Sequence, residues 1–178
     1  MSERTRASSS GTDQVRTLVS FGDRGDQLIW QSIGDRVMGG ISDGSMIVSD
    51  GGYGEFSGTV RLDNGGGFAS VKADLPKLDV SGYQGVELRV LGDGRTYKVG
   101  LRTSTDRQSV VYQHGFVPET EQWGRVQLLF KDFIPTWRGR TINDAPPLDL
   151  HNLRSVSLFV SERQAGTFSL KTESWVLF

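Results

Sequence analysis

Val86-Glu87-Leu88-Arg89-Val90, followed by Gly92-Asp93-Gly94 and then by Tyr97-Lys98-Val99-Gly100-Leu101-Arg102, is the stretch that decides the fold. In both runs apolar residues alternate with polar residues or glycine. Successive strand residues point to opposite faces, so each run buries one side and wets the other. Gly92 and Gly94 mark the turn between the two runs, because Gly accepts left-handed angles. Working outward, the period of two recurs. Phe56, Gly58 and Val60 alternate with Ser57, Thr59 and Arg61, and Phe168, Leu170 and Thr172 alternate with Ser169, Lys171 and Glu173. No window of about twelve residues carries a helical stripe. The pattern predicts strands over 15–21, 28–33, 45–49, 55–62, 67–73, 85–91, 95–103, 109–117, 124–130, 153–160 and 167–177. That many short strands predict an all-β, two-sheet sandwich of the jelly-roll type. Residues 131–152, with Pro135, Pro146 and Pro147, read as the longest irregular stretch, with room for a short helical turn and with Phe133 and Trp137 to tie it down.

Composition agrees. The 178 residues include 23 glycines and five prolines. That is about 13% glycine against an average of roughly 7%. The predicted layout is a disordered tail over 1–14 and one domain over 15–178. Twenty basic and 21 acidic residues give a formal net charge of -1, which argues against holding nucleic acid by bulk electrostatics. The absence of cysteine excludes disulfides, thiolate nucleophiles and cysteine zinc sites. No apolar run is long enough to cross a bilayer as a helix, and residues 1–14 lack the apolar core of a secretory signal. The expected location is cytoplasmic.

The motifs that carry chemistry elsewhere are weak here. Asp35-Arg36-Val37-Met38-Gly39-Gly40-Ile41-Ser42-Asp43-Gly44 reads as a shaped loop, and its Gly40-Ile41-Ser42-Asp43-Gly44 fits the G-x-S-x-G pattern. A nucleophile elbow needs a helix after the turn, whereas Ser45-Met46-Ile47-Val48-Ser49 reads as a strand, so a nucleophilic Ser42 is rejected. Gly65-Gly66-Gly67 has no following helix to bind phosphate, and Asn64-Gly65 reads as a turn between the strands carrying Val60 and Val71. His114 and His151 are isolated, and no transition-metal spacing exists. Asp23, Asp26, Asp43 and Asp50 fit either surface turns or a calcium loop; no metal or cofactor is assigned. Trp30 and Trp123 read as core. Trp137 with Arg138 and Arg140 is either an exposed anchor or a tie for its own loop. Arg89, Arg102 and Gln113 either line a ligand-binding sheet face or are solvated. An enzyme is not expected, because general acid–base work needs convergent titratable groups; His114 bonded to Asp106 would be the sign of one.

Several runs carry a family resemblance. Trp30 with Asp35 to Ser42, Phe56-Ser57-Gly58, Asn64-Gly65-Gly66-Gly67-Phe68-Ala69-Ser70-Val71 and Gly92-Asp93-Gly94-Arg95-Thr96-Tyr97 resemble the complex I intermediate-associated protein family. Trp123, Asp132-Phe133-Ile134-Pro135, Arg138-Gly139 and Gly166-Thr167-Phe168-Ser169-Leu170 support it, and the match runs in order over residues 15–178. The resemblance implies a galactose-binding-like sandwich. It also implies a protein partner, since the mitochondrial members are assembly chaperones for the respiratory NADH:ubiquinone oxidoreductase. Lacking an organellar extension, the chain looks like a bacterial relative. The expected function is therefore a non-enzymatic protein-binding domain of the assembly-factor kind, and the alternative is a carbohydrate- or small-ligand-binding module. The expected partner surface combines Arg36, Met38 and Ser42 with Trp137 and Arg138, with Gly39, Gly40, Gly65, Gly66 and Gly67 shaping the loops.

Overall fold

The computed structural model describes residues 15–22, 28–34, 42–106 and 109–178. Their strands are β1 (Arg16–Ser20), β2 (Trp30–Gly34), β3 (Asp43–Val48), β4 (Gly54–Val60), β5 (Ala69–Leu78), β6 (Gly85–Leu91), β7 (Tyr97–Arg102), β8 (Val111–Phe116), β9 (Gly124–Leu129), β10 (Ile134–Trp137), β11 (Arg140–Thr141), β12 (Leu153–Val160) and β13 (Gly166–Leu177). A six-stranded sheet runs β3-β4-β13-β6-β9, with β1 also on β13, and a seven-stranded sheet runs β11-β10-β8-β7-β12-β5-β2. All pairings are antiparallel. The chain changes sheet between β1 and β2, β2 and β3, β4 and β5, β5 and β6, β6 and β7, β8 and β9, β9 and β10, and β12 and β13. This repeated crossing makes the pair of sheets a jelly roll, with the core between them. Among the described residues no helix is long and apolar enough to cross a membrane.

Both inner faces are aromatic at the centre. Phe56 of β4 and Phe168 of β13 meet edge-on at 4.9 Å, and Tyr97 of β7 lies 6.2 Å from Phe116 of β8. Phe56 and Tyr97 join the two pairs across the layers at 6.4 Å. Trp175 is fully buried and donates its indole N–H to Thr172 Oγ1 at 2.8 Å, which satisfies the one polar atom of the largest core side chain.

The Gly92-to-Tyr97 run crosses from one sheet to the other and fastens both. Asp93 Oδ1 accepts from Tyr97 Oη at 3.0 Å and from the Arg95 amide at 3.1 Å. Its Oδ2 accepts from the Ser169 amide at 2.9 Å. Arg95 Nη2 then donates to the Thr167 carbonyl at 2.7 Å. Burial, reinforced by the Asp93 carboxylate, pushes the Tyr97 phenol far above its ordinary pKa. The residues that carry the resemblance in this run thus join β7 to β13.

Three expectations need correction. Residues 131–152 are not irregular throughout: a 3-10 turn (Phe130–Asp132), β10 and β11 occupy the first half. Pro135 hid β10, since proline cannot donate to a ladder and is confined to positions like this one near a sheet edge. The expected Asn64-Gly65 turn between the strands of Val60 and Val71 is present, with φ of 53° and 73°, and it carries the chain from one sheet to the other. Trp123 does not join the core; it packs edge-on against Tyr53 at 5.9 Å on the outer side. Arg89 and Arg102 do not share a face, because β6 and β7 belong to different sheets.

The second half of the long stretch is tied down at several points. Tyr112 Oη donates to the Pro146 carbonyl at 2.6 Å, and the Val80 amide to the Leu150 carbonyl at 2.7 Å. Asp79 accepts from the Ser81 hydroxyl at 2.6 Å and the Ser81 amide at 2.9 Å, and its Oδ2 lies 3.1 Å from His151 Nδ1. The Ser81 bonds, helped by His151, hold the Asp79 carboxyl down at about 2, against an ordinary 3.8. Asp149 is lowered as well, first by Asn152. A depressed carboxylate stabilises the fold above its unfolded pKa and loses that contribution as pH falls through its folded value. The tie is therefore expected to release between about pH 4 and pH 2. A carboxyl-detected NMR titration should place the Asp79 midpoint near 2, and His151→Ala should raise it. A wild-type midpoint at the ordinary value would contradict the tie.

Candidate functional site

The two outer faces differ in how their polar groups are used. On the six-stranded sheet a cavity of about 530 Å³ is lined by residues including Val15, Glu87, Arg89, Arg125 and Glu173. Its charges satisfy one another. Arg89 Nε pairs with Glu173 Oε2 at 2.8 Å, and Arg125 Nη1 with Glu87 Oε1 at 3.1 Å. Gln127 Nε2 also donates to Glu87, at 2.8 Å. Arg89 further lies over the Trp123 ring at 5.8 Å. Exposed pairs of this kind add little stability, and they leave no charge waiting for a ligand.

The outer face of the seven-stranded sheet is built otherwise. One register row reads Gln31, Lys72, Ser157, Gly100, Gln113 and Ile134 across β2, β5, β12, β7, β8 and β10. The next row sets Asp74, Ser155 and Arg102 side by side. Ser155 and Ser157 are only 1% and 2% exposed although, among the described residues, no further sheet covers this side. They form a floor of small groups between taller neighbours. Gly100 belongs to that floor, since a Cβ there would lie 2.6 Å from Phe159 Cε2 and 2.9 Å from Val111 Cγ1. Arg102 and Gln113 therefore do lie on one face, as the alternation suggested, and Arg89 does not. Burial lowers the Arg102 pKa from its ordinary value, and the Asp74 carboxylate opposes that shift.

At one end of the face a cavity of about 250 Å³ is lined by Gln31, Lys72, Asp74, Leu75, Ser104, Thr105 and Arg154. Lys72 Nζ sits 2.7 Å from Asp74 Oδ1. Arg154 Nε and Ser155 Oγ are buried without a hydrogen-bond partner. The sequence reading missed these residues. The available signal was Lys72 and Asp74 alternating with Val71, Ala73 and Leu75, and Arg154, Ser155 and Ser157 in an otherwise apolar β12.

At the other end stands the β10–β11 hairpin, closed by the pair Trp137 and Arg140. Arg138 and Gly139 form its two-residue turn, with φ of 47° and 76°. Asn-Gly is the usual choice for such a turn, and an arginine in the left-handed region is strained by about 1 kcal/mol or more. Arg138 stacks its guanidinium over the Trp137 ring at 4.7 Å. Trp137 is 41% exposed and Ile134, on the other face of the same strand, is 52% exposed, so the rim sets an exposed indole beside a cation.

The remaining predicted site residues fall elsewhere. Arg36, Met38, Gly39 and Gly40 lie outside the described residues, as do Asp23 and Asp26. Ser42 is buried and its hydroxyl is tied to Arg61, accepting from the amide at 2.9 Å and donating to the carbonyl at 3.0 Å. Its expected contact role is corrected to a structural one, and β3 begins directly after it where a nucleophile elbow needs a helix. His114 Nδ1 lies 2.8 Å from the Gly115 carbonyl, and the ring packs on Phe133. Asp43 accepts from the Thr59 amide at 2.9 Å. Among the described residues no three His, Asp or Glu side chains converge as metal ligands. Gly65, Gly66 and Gly67 shape the inter-sheet turn, where Arg163 Nη1 donates to the Gly66 carbonyl at 3.3 Å.

This jelly-roll fold is shared with carbohydrate-binding modules. The chain is similar to the family 11 carbohydrate-binding module of the cellulase Lic26A-Cel5E from Clostridium thermocellum, with a TM-score of 0.68 at 18% identity, covering 92% of this chain and 94% of that one. The same family's module in complex with a beta-1,3-1,4-mixed-linked tetrasaccharide gives a TM-score of 0.67 at 18% identity, covering 92% and 95%. The agarase AgWH50C contains a similar region, with a TM-score of 0.62 at 10% identity over 92% of this chain and 24% of that one. These likenesses establish the fold. Residues 19–172 match the family model described as complex I intermediate-associated protein 30, and the chain belongs to that family. It is 25% identical over 181 residues to the mitochondrial complex I intermediate-associated protein 30 of Mus musculus, covering 90% of this chain and 55% of that protein. With the Neurospora crassa protein of the same name it shares 27% over 140 residues, covering 69% and 50%. The chain thus spans about half the length of these two mitochondrial relatives. An uncharacterized protein of Schizosaccharomyces pombe is 27% identical over 179 residues, covering 88% of this chain and 82% of that protein.

Proposed function

We propose that this chain is a non-enzymatic recognition domain that acts in the cytoplasm as an assembly factor for respiratory complex I. It grips a protein partner with the β10–β11 rim and the adjoining outer face of the seven-stranded sheet. Membership of the complex I intermediate-associated family supports the process. The observation that carries the surface is the strained Arg138 stacked on half-exposed Trp137. Strain of this sort persists where function requires the side chain, and Trp and Arg dominate the energetics of interfaces. Capture of a tagged chain from its native host in mild detergent should bring down complex I subunits, and deletion should deplete the assembled complex. No partner above background together with unchanged respiratory complexes would refute the proposal.

Arg138→Asn separates contact from architecture. Asn tolerates the left-handed turn, so stability should stay within about 1 kcal/mol of the parent or rise, while capture should fall at least tenfold. Trp137→Ala should weaken capture as strongly. Unchanged capture by both variants would move the interface elsewhere. A second reading, a carbohydrate- or small-ligand-binding module, is favoured by the polar floor and cavity of the same face and by the likeness to carbohydrate-binding modules. Calorimetric titration with neutral glycans tests it.

A further inference from the structure

We infer that the cavity between β2, β5 and β12 is a receptor for one carboxylate-bearing sugar ring, a uronic acid. This rests on the second reading, that the outer face receives a small ligand, and it specifies the chemistry of that ligand. Three observations lead there. First, the cavity lining carries two cations, Lys72 and Arg154, against the single carboxylate of Asp74, and Arg102 stands in the adjoining register row. The chain as a whole has a net charge of -1, so this is a local excess of positive charge. A planar guanidinium and an ammonium together suit a carboxylate.

Second, the lining is not a pure anion cradle. A sulfate offers acceptors only, a phosphate adds at most one or two O–H donors, and the charge of either is repelled by Asp74. A sugar acid uses every group present: its hydroxyls donate to Asp74 and exchange hydrogen bonds with Gln31, Ser104 and Thr105, while its carboxylate faces the cations. Leu75 borders the cavity from below but is 8% exposed and packs in the core, so polar groups make the recognition. The Lys72–Asp74 pair that now spans the site joins a Lys72 side chain 15% exposed to an Asp74 side chain 68% exposed, so the ligand exchanges this pair for its own contacts to both groups. Third, Arg154 Nε and Ser155 Oγ are buried without partners beside the cavity. Groups left this way are costly unless a ligand or water completes them.

The size matches one ring. A volume of about 250 Å³ equals roughly eight waters at about 30 Å³ each. That is below the usual range for extended ligands, so a chain of sugars would enter by one terminal or side unit.

The test is a ¹H–¹⁵N NMR titration of the full chain with sodium glucuronate, glucose, sodium phosphate and N-acetylglutamate amide. Glucuronate should shift the Lys72, Asp74, Ser104 and Arg154 amides saturably, at least tenfold more tightly than each other probe. Arg154→Gln and Lys72→Gln, each with wild-type spectral dispersion, should each weaken glucuronate at least fivefold. Equal binding of glucose would overturn the inference and leave a neutral-sugar module standing. Equal phosphate binding would reduce the cavity to a plain anion site, and equal binding of the glutamate amide would assign it to an acidic protein side chain; either overturns the inference. No saturable shift with any probe would remove the ligand reading of this face, while capture of a protein partner would still be judged on its own result.

Discussion

Gly58→Ala is expected to destabilise the chain by about 3 kcal/mol. Gly58 lies opposite Gly44 where β4 meets β3. A Cβ at position 58 would sit 2.2 Å from the Asp43 carbonyl oxygen, 2.8 Å from its carbonyl carbon and 2.8 Å from the Gly44 Cα. All three are backbone atoms, so no side-chain rotation relieves the overlap. β3 must shift away, and with it goes the pairing that fixes Met46 opposite Phe56. For a chain of this length the loss corresponds to a fall in melting temperature of roughly 6–12 °C. Urea unfolding followed by circular dichroism measures it. Gly82→Ala is the control, because nothing lies within 4 Å of the added methyl; it should stay within about 0.5 kcal/mol of the parent. Equal stability of the two variants would show that β3 does not pack on β4 as described.

Asp93→Ala is the second large effect, expected at about 2–3 kcal/mol. The substitution leaves the Tyr97 hydroxyl, on a fully buried side chain, without its acceptor, and it frees the Ser169 and Arg95 amides. Asp93→Asn should cost less, since its carbonyl can still accept from Tyr97 and Arg95 although its amide group meets the Ser169 N–H. Adding Tyr97→Phe to Asp93→Ala should recover about 1 kcal/mol by deleting the stranded donor. The phenol adds a pH signature. Its folded pKa is raised, so its contribution is complete below the unfolded value near 10 and is lost as pH rises above it. Wild-type stability should fall above about pH 10, and Tyr97→Phe should flatten that limb. A phenol titrating at its ordinary value with the fold intact would contradict the burial.

Alternation is a local property, and it located every strand in which one side is apolar. Leu153 to Val160 and Gly85 to Leu91 have the predicted bounds. Alternation does not say which sheet a strand joins. Arg89 and Arg102 read alike in sequence, yet a single crossing after β6 separates them by the thickness of the sandwich. Pro135 concealed β10 because a proline normally marks the end of a ladder, and β11 is only two residues long. The candidate site was half legible. Trp137 and Arg138 drew attention by type, and Arg102 and Gln113 by their polar face. Ser155 and Ser157 did not, because a serine in an apolar strand carries no mark of which face it occupies. Lys72 and Asp74 gain their setting only from the pairing that puts Ser157 and Ser155 of β12 beside them.

Hydrogen–deuterium exchange of the chain, alone and with its captured partner, most directly tests whether the seven-stranded sheet's outer face and rim do the recognising. Protection should concentrate in residues 111–116 and 134–141, with residues 85–91 and 124–129 of the other sheet unchanged. Protection confined to the Arg89 and Trp123 side, with the β10–β11 hairpin exchanging as in the free chain, would contradict it.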